Sequence, residues 1–262
     1  MRFFLFLFLF LLPAFSFAVV ELSFPVSQKF ESSPLFIGNV SPGQSFDLVF
    51  SDDSGLGFDW DYVKVDYDSL PRLWSVVSYS STSSSLSVTL RIPSSTEEGV
   101  YSFKVVLGNS SNNVSEFADI IVGVKKNLVS VSFSRPFVKE KLLAFEPIEY
   151  SVFISNASIG YDNIFVSANV PSNWFSSKSF LVRPNEDVEV KLVVFPQYYG
   201  SKTLRFSALL GSVNHNIASF ESKIYVEPSL KGKFGSSLSG FPFFTFSLLP
   251  FQLIGSLVSL LG

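Results

Sequence analysis

The chain has 262 residues, of which 47% are hydrophobic and only 16% charged, and its net charge is −3; globular chains average about 25% charged residues. Its basic groups cluster only at Lys125-Lys126 and Lys231-Gly232-Lys233, so it lacks the cationic stripe that neutralises phosphates, which excludes nucleic-acid partners. The absence of cysteine and the single histidine, His215, exclude thiolate nucleophiles, iron–sulfur clusters and cysteine-type zinc sites, and leave almost no room for a histidine metal centre or a Ser-His-Asp triad.

At the N-terminus, Met1-Arg2 precedes the apolar run Phe3–Leu12, then Pro13 and Phe15-Ser16-Phe17-Ala18. A basic start, a short apolar segment and a small residue at the end are the parts of a secretory signal peptide. Residues 1–18 are therefore expected to be a signal peptide and the chain to be exported. The other reading is an uncleaved anchor helix, for which the run is short, since a span needs about 20 residues.

From residue 19 onward the apolar residues alternate with polar ones. Ser87-Val88-Thr89-Leu90-Arg91-Ile92, Tyr101-Ser102-Phe103-Lys104-Val105 and Glu189-Val190-Lys191-Leu192-Val193 each put one face inward and one outward. No convincing helical period occurs between residues 19 and 230. Turn signals punctuate the strands at Ser41-Pro42-Gly43, Asp52-Asp53-Ser54-Gly55, Gly108-Asn109-Ser110, Asn156-Ala157-Ser158 and Arg183-Pro184-Asn185. Many short strands at such spacing predict an all-β fold of antiparallel sandwiches.

Within the first half, Asp52, Asp53, Asp59, Asp61, Asp66 and Asp68 form the richest acidic stretch. The apolar face shifts from Phe58/Trp60/Tyr62 to Val63/Val65/Tyr67, and a bulge at the shift is expected to bring the acids to one side. Asp59, Asp61, Asp66 and Asp68 are then candidate Ca²⁺ ligands, because Ca²⁺ takes several carboxylate oxygens. The competing reading is a solvated edge strand whose charges discourage pairing. No other cofactor is expected. Asn39, Asn109, Asn113 and Asn156 each begin an Asn-x-Ser triplet in a predicted loop and are glycosylation candidates.

A repeat runs through the middle. Val88-Thr89-Leu90, Pro93, Gly99, Leu107-Gly108, Phe117 and Ile121 are matched by Val190-Lys191-Leu192, Pro196, Gly200, Leu210-Gly211, Phe220 and Ile224. The offset is about 100 residues, one immunoglobulin-like domain. Residues 19–125 and 126–228 are read as two tandem Ig-like β-sandwiches with the same strand order. The short join at Lys125-Lys126-Asn127 implies a semi-rigid arrangement.

The second copy carries Ile154-Ser155-Asn156, Asn163-Ile164-Phe165-Val166, Val170-Pro171-Ser172-Asn173-Trp174, Arg183-Pro184-Asn185 and Val190-Lys191-Leu192-Val193-Val194-Phe195-Pro196. This run resembles the NPCBM-associated, CARDB-like Ig-like domains common in archaeal and bacterial surface proteins. The resemblance covers roughly 126–228. It implies a sandwich of about seven strands serving as spacer, adhesion or accessory binding module, without catalysis. In the first copy Leu70-Pro71-Arg72-Leu73-Trp74 only approximates the Pro-x-x-Trp stretch.

Aromatic residues offer a second kind of site. Trp60 and Trp174 are expected in the cores, where such rings supply most apolar area. Tyr198-Tyr199-Gly200 lies in a predicted loop and is the better platform for stacking a sugar. The adjacent acids Glu97-Glu98 and the lone His215, both in predicted turns, read as solvated residues and not as hydrolytic machinery.

Residues 229–240 form a linker, and 241–262 a hydrophobic tail. Phe241 to Leu261 is long enough to cross a bilayer, but Pro242 and Pro250 interrupt it and its nearest basic pair lies on the exported side. A spanning helix, a lipid-anchor signal and an interfacial helix all lead to membrane association, with a buried packing tail as the contrary reading. A helix from Phe251 would set Gly255 and Ser259 four apart, a spacing at which helix backbones approach closely in lipid, so the tail is read as a site of homo-oligomerisation or of pairing with a partner's helix. Together these features describe a non-catalytic structural or interaction module, membrane-tethered on the extracellular face, with an unidentified surface protein or glycan as partner. The alternative is a carbohydrate-binding accessory module.

Overall fold

The computed structural model describes residues 18–30, 34–134 and 142–227, together with Ile254 and Val258 in the tail. The predicted signal peptide through residue 17, the linker 229–240, and Gly255 and Ser259 lie outside the described residues. Ile254 and Val258 are helical and exposed. Among the described residues no helix is long and apolar enough to cross a membrane.

Between residues 18 and 227 the described chain contains strands and turns but no helix. It divides into two compact units. One comprises the residues up to Lys126 together with Ser158–Tyr161, the other Asn127–Ala157 and the residues from Asp162 onward.

The first unit contains β1 (Glu21–Phe24), β2 (Gln28–Lys29), β3 (Leu35–Val40), β4 (Ser45–Ser51), β5 (Tyr62–Val65), β6 (Ser75–Ser81), β7 (Ser85–Arg91), β8 (Gly99–Asn109) and β9 (Val114–Val124). One sheet has the order β2-β1-β4-β7-β6 and the other β3-β9-β8-β5. All pairings are antiparallel except that of β3 with β9. This is an Ig-like sandwich, and period-two patterning builds it directly. Phe46, Leu48 and Phe50 of β4 and Leu86, Val88 and Leu90 of β7 are buried. The residues between them, Ser45, Asp47, Val49, Ser51 and Ser85, Ser87, Thr89, face outward. Each fully buried Leu, Val or Phe side chain contributes about 1.5–3 kcal/mol to folding.

The second unit contains β10 (Val129–Ser134), β11 (Leu142–Leu143), β12 (Ile148–Asn156), β13 (Asp162–Ala168), β14 (Lys178–Val182), β15 (Glu186–Val194), β16 (Gly200–Leu210) and β17 (His215–Glu227). Its sheets have the orders β10-β12-β15 and β11-β17-β16-β13-β14. Again one short strand, β11, runs parallel to the last strand. Phe206 sits at the middle of the core, against Phe133, Tyr150, Phe175 and Phe220. The Tyr150 hydroxyl donates across the sandwich to Ser222 Oγ at 3.1 Å.

The two sandwiches are not identical in strand order, contrary to the expectation from the repeat. In the first, the strand before β7 is β6, and it pairs with β7. In the second, the strand before β15 is β14, and it pairs instead with β13, on the opposite sheet. The connection supplies a physical reason. Thr82 closes a hairpin onto Ser85 through its N–H at 2.8 Å and its hydroxyl. The corresponding turn, Arg183-Pro184-Asn185, holds a proline, which cannot donate to a ladder, and Asn185 in the left-handed region at φ 51°.

The match of Leu107-Gly108 to Leu210-Gly211 also needs correction. β8 and β16 both have eleven residues, begin at Gly99 and Gly200, and lead into four-residue turns ending in left-handed asparagines, Asn113 and Asn214. Gly108 is therefore inside its strand. A side chain there would collide with the Tyr62 ring, its Cβ lying 2.2 Å from ring atoms. Gly211, by contrast, opens its turn. His215 is not a turn residue but the first of β17, exposed and opposite Leu210.

Candidate functional site

The acidic stretch lies where the chain passes from one sheet of the first unit to the other. Asp59 bridges to Asp53 at the end of β4, and Trp60 N–H donates to Asp52 O at 2.6 Å. One residue later, Asp61 N–H donates to Gly108 O at 2.9 Å, on β8. The apolar face does shift, with Trp60 buried and then Val63 and Val65 buried. Its cause is this change of sheet and not a bulge, since β5 pairs with β8 without a register break.

The consequence for the four aspartates is dispersal. β5 separates Asp61 from Asp66 by roughly 16 Å of extended chain. Each end has its own local task. Asp61 Oδ2 accepts from Ser110 N–H at 2.8 Å and from Ser110 Oγ at 2.7 Å, which ties the β8–β9 turn to β5. Asp66 Oδ1 accepts from Asp68 N–H at 3.2 Å and its carbonyl accepts from Ser69, forming a closed turn. Asp59 offers its carbonyl to Asn109 Nδ2 at 2.6 Å. Among the described residues no three His, Asp or Glu side chains come together as a metal-holding group. The expected Ca²⁺ cluster of Asp59, Asp61, Asp66 and Asp68 is not assembled.

The four sequon asparagines fall in different surroundings, and not all in loops. Asn39 is half-buried in β3, against Gly123. Asn109 ends β8 and is buried, its amide nitrogen given to Asp59 O and its oxygen accepting from Asn112 N–H. Asn156 ends β12 and is buried, with Nδ2 donating to Arg183 O at 2.9 Å. Asn113 alone of the four is exposed, at the tip of the β8–β9 turn. Because a glycan is attached at Nδ2, Asn113 is the position compatible with the folded sandwich.

The aromatic residues separate as expected by burial. Trp60, Trp74 and Trp174 are core residues. Tyr198 and Tyr199 are exposed, 49% and 60%, in the loop between β15 and β16. Tyr198 leans on Trp174, with ring centroids 5.8 Å apart. The indole N–H of Trp174 is buried without a hydrogen-bond partner among the described residues. Asn173 Nδ2 donates to Gln197 Oε1 at 2.6 Å, which joins this loop to the one bearing Trp174. Glu97 and Glu98 are exposed and serve as turn acceptors, Glu97 through its carbonyl to Tyr101 and Glu98 through Oε1 to Lys126 N–H.

Two features escaped the sequence reading. One is a tyrosine pair at the side of the first sandwich. Tyr79 OH accepts from Val65 N–H at 3.4 Å and lies 3.4 Å from Tyr67 OH. It thereby closes the gap between β6 and β5, the edge strands of the two sheets. Burial first, and the hydrogen bond with Tyr67 second, hold the Tyr79 hydroxyl above its usual ionisation range, so it remains a neutral partner at physiological pH. The other is the open side of β15 in the second unit.

No family model matches the chain, and no curated protein matches it. Solved structures do. A chimeric titin Z1Z2 carrying an exogenous decorin peptide is similar over 82% of this chain and 98% of its own, at 12% identity and a TM-score of 0.41. The D00-D0 domain of intimin is similar over 79% and 96%, at 14% identity and a TM-score of 0.29. An endo-fucoidan hydrolase of glycoside hydrolase family 107 is similar over 80% of this chain at 14% identity and a TM-score of 0.31, but the chain spans only 34% of that enzyme. The fold assignment rests on the strand orders and registers described above.

Proposed function

We propose that the chain is a non-catalytic structural or protein-interaction module, exported and tethered by its hydrophobic tail to the outer face of the cell membrane. The observation that carries this reading is how the sandwiches spend their residues. Hairpin turns such as Ser110–Asn113 and Gly211–Asn214 are four residues long, and the acids beside them, Asp61 and Asp162, are used to pin those turns through Ser110 N–H and Ser212 N–H. Hydrolytic clefts are built from longer loops that bring two carboxylates across from each other. What the chain offers outward is sheet surface, rich in serine and threonine over β4 and β7. The resemblance of residues 126–228 to CARDB-like domains of surface proteins points the same way. The exposed Tyr198–Tyr199 loop supports the second reading, a carbohydrate-binding accessory module.

The test is protease digestion of intact cells producing the full chain, together with a deletion of 235–262. Both sandwiches should be cut from outside, and the deletion should release the protein into the soluble exported fraction. Protection from external protease, or sedimentation of the deleted form with membranes, would overturn the placement. Retention of the purified chain on a glycan array, lost in Tyr198→Ala, would transfer the reading to carbohydrate binding.

A further inference from the structure

The exchanged strand leaves one edge of the second sandwich open. Among the described residues β15 is the last strand of its sheet and pairs only with β12. Backbone parity shows which groups are left over. Ala157 N–H donates to Leu128 O on the β10 side, so odd-numbered residues of β12 face β10 and even-numbered ones face β15. The register sets Ile148 opposite Val194 and Asn156 opposite Glu186, so the even-numbered residues of β15 bond to β12. Asp187, Glu189, Lys191 and Val193 direct their N–H and C=O groups away from the sheet. Phe195, next in that series, donates its N–H to Trp174 O at 2.9 Å, which agrees with this direction and seals the end.

Sheet edges are normally guarded by bulges, prolines, charged side chains or brevity; the exposed charges on β15, Asp187, Glu189 and Lys191, are of both signs and so can pair with a second copy as well as repel other strands. β15 has nine residues, a continuous register with β12 and no proline within it. Its inward positions are Val188, Val190 and Leu192, and Val188 and Val190 are only half-buried. The equivalent positions in β7, which is paired on both sides, are fully buried. In the first sandwich β6 has a register break between Val76 and Ser78 and is closed by the Tyr79 hydroxyl. The second sandwich has neither device at β15.

The side chains along the edge specify an occupant. A second β15, antiparallel about Val190, would set Glu189 opposite Lys191 twice, Val188 opposite Leu192, and Val190 opposite itself. The 189–191 and 187–193 pairs are those whose backbone groups point outward, so they fall at hydrogen-bonded positions. Centring the pair on Glu189 would set Asp187 opposite Lys191 twice but Glu189 opposite itself, a like-charge pair that the register about Val190 lacks. Among the described residues Lys191 is held within its own copy only by Glu149, at 3.4 Å and with both side chains well exposed, a contact of little strength. We propose that the open edge of β15 is a self-association site, where two copies join by antiparallel β15–β15 pairing into one sheet of three strands from each. The inference is independent of the proposed function.

The full chain in mild detergent tests it by sedimentation at graded concentration. Glu189→Lys and Lys191→Glu should each weaken dimerisation roughly tenfold, since each turns two attractive cross-strand pairs repulsive. The double variant should restore it by reversing the pair. Because the chain has no native cysteine, Val190→Cys should form a disulfide-linked dimer, its two Cα atoms falling about 4.5 Å apart at a non-hydrogen-bonded pair. Ser219→Cys, exposed on the other sheet, should not. Association through the tail would leave all three charge variants as dimeric as the parent, and that result would overturn the proposal. So would a monomeric parent, a double variant that stays weak, or equal crosslinking at positions 190 and 219.

Discussion

Trp60→Ala is expected to destabilise the first sandwich by about 3–5 kcal/mol, the range for removing a large buried aromatic ring. Trp60 is 2% exposed and stands where the chain leaves one sheet for the other. Its ring meets Phe58 edge-on at 5.5 Å, and its Nε1–H donates to Val19 O at 3.2 Å. The substitution empties that junction and frees the Val19 carbonyl. For a unit of about 100 residues each kcal/mol shifts the midpoint by about 4–8 °C, so scanning calorimetry should show a fall of at least about 12 °C. Trp60→Phe keeps most of the packing and should cost less than half as much. A shift under about 5 °C for the alanine variant would contradict the assigned core.

Phe206→Ala is expected to act equally strongly on the second sandwich and to leave the first unaffected. Phe206 is 1% exposed and within 4.8–6.4 Å, centroid to centroid, of the rings of Tyr150, Phe175, Phe133 and Phe220. Among the described residues no other touches as many rings of that core, and the surrounding side chains are anchored on three separate strands, β10, β12 and β17, and on the β13–β14 connection. A loss of about 3–5 kcal/mol follows. The buried residues form two separate apolar clusters, one per unit. Residue-resolved hydrogen exchange should therefore show faster opening of β12, β16 and β17 with β4, β7 and β8 unchanged. Loss of protection throughout both units would contradict the separation of the cores.

Much of this architecture was legible in the sequence, because alternation reports which side chains face inward. Val88, Leu90 and Ile92, or Phe103 and Val105, could be assigned to a core without any structure. The Arg183-Pro184-Asn185 turn could be placed from residue chemistry alone. Alternation does not report which strand lies alongside. β6 and β14 each precede the next strand by three residues, and only the closure of one hairpin and the proline of the other decide which sheet receives them. The same limit explains the acidic stretch. A shift of the apolar face looks identical in sequence whether a bulge or a change of sheet causes it, and the two outcomes place Asp59 and Asp66 very differently. Gly108 was misread because its cause, the Tyr62 ring, comes from a distant strand. The asparagines were misread in a similar way. Asn109 and Asn156 end strands and give their amides to neighbouring loops, a use that the triplet Asn-x-Ser does not reveal.

The open edge of β15 follows from the strand order of the second sandwich, and backbone amide exchange in dilute solution tests it most directly. In β15 the amides of Asp187, Glu189, Lys191 and Val193 should exchange quickly, while those of Val188, Val190 and Leu192 stay protected by β12. In β7, paired to β4 on one side and β6 on the other, amides of both parities should be protected. Uniform protection along β15 under conditions where the chain is monomeric would mean that another strand occupies the edge, and would contradict the strand order described here.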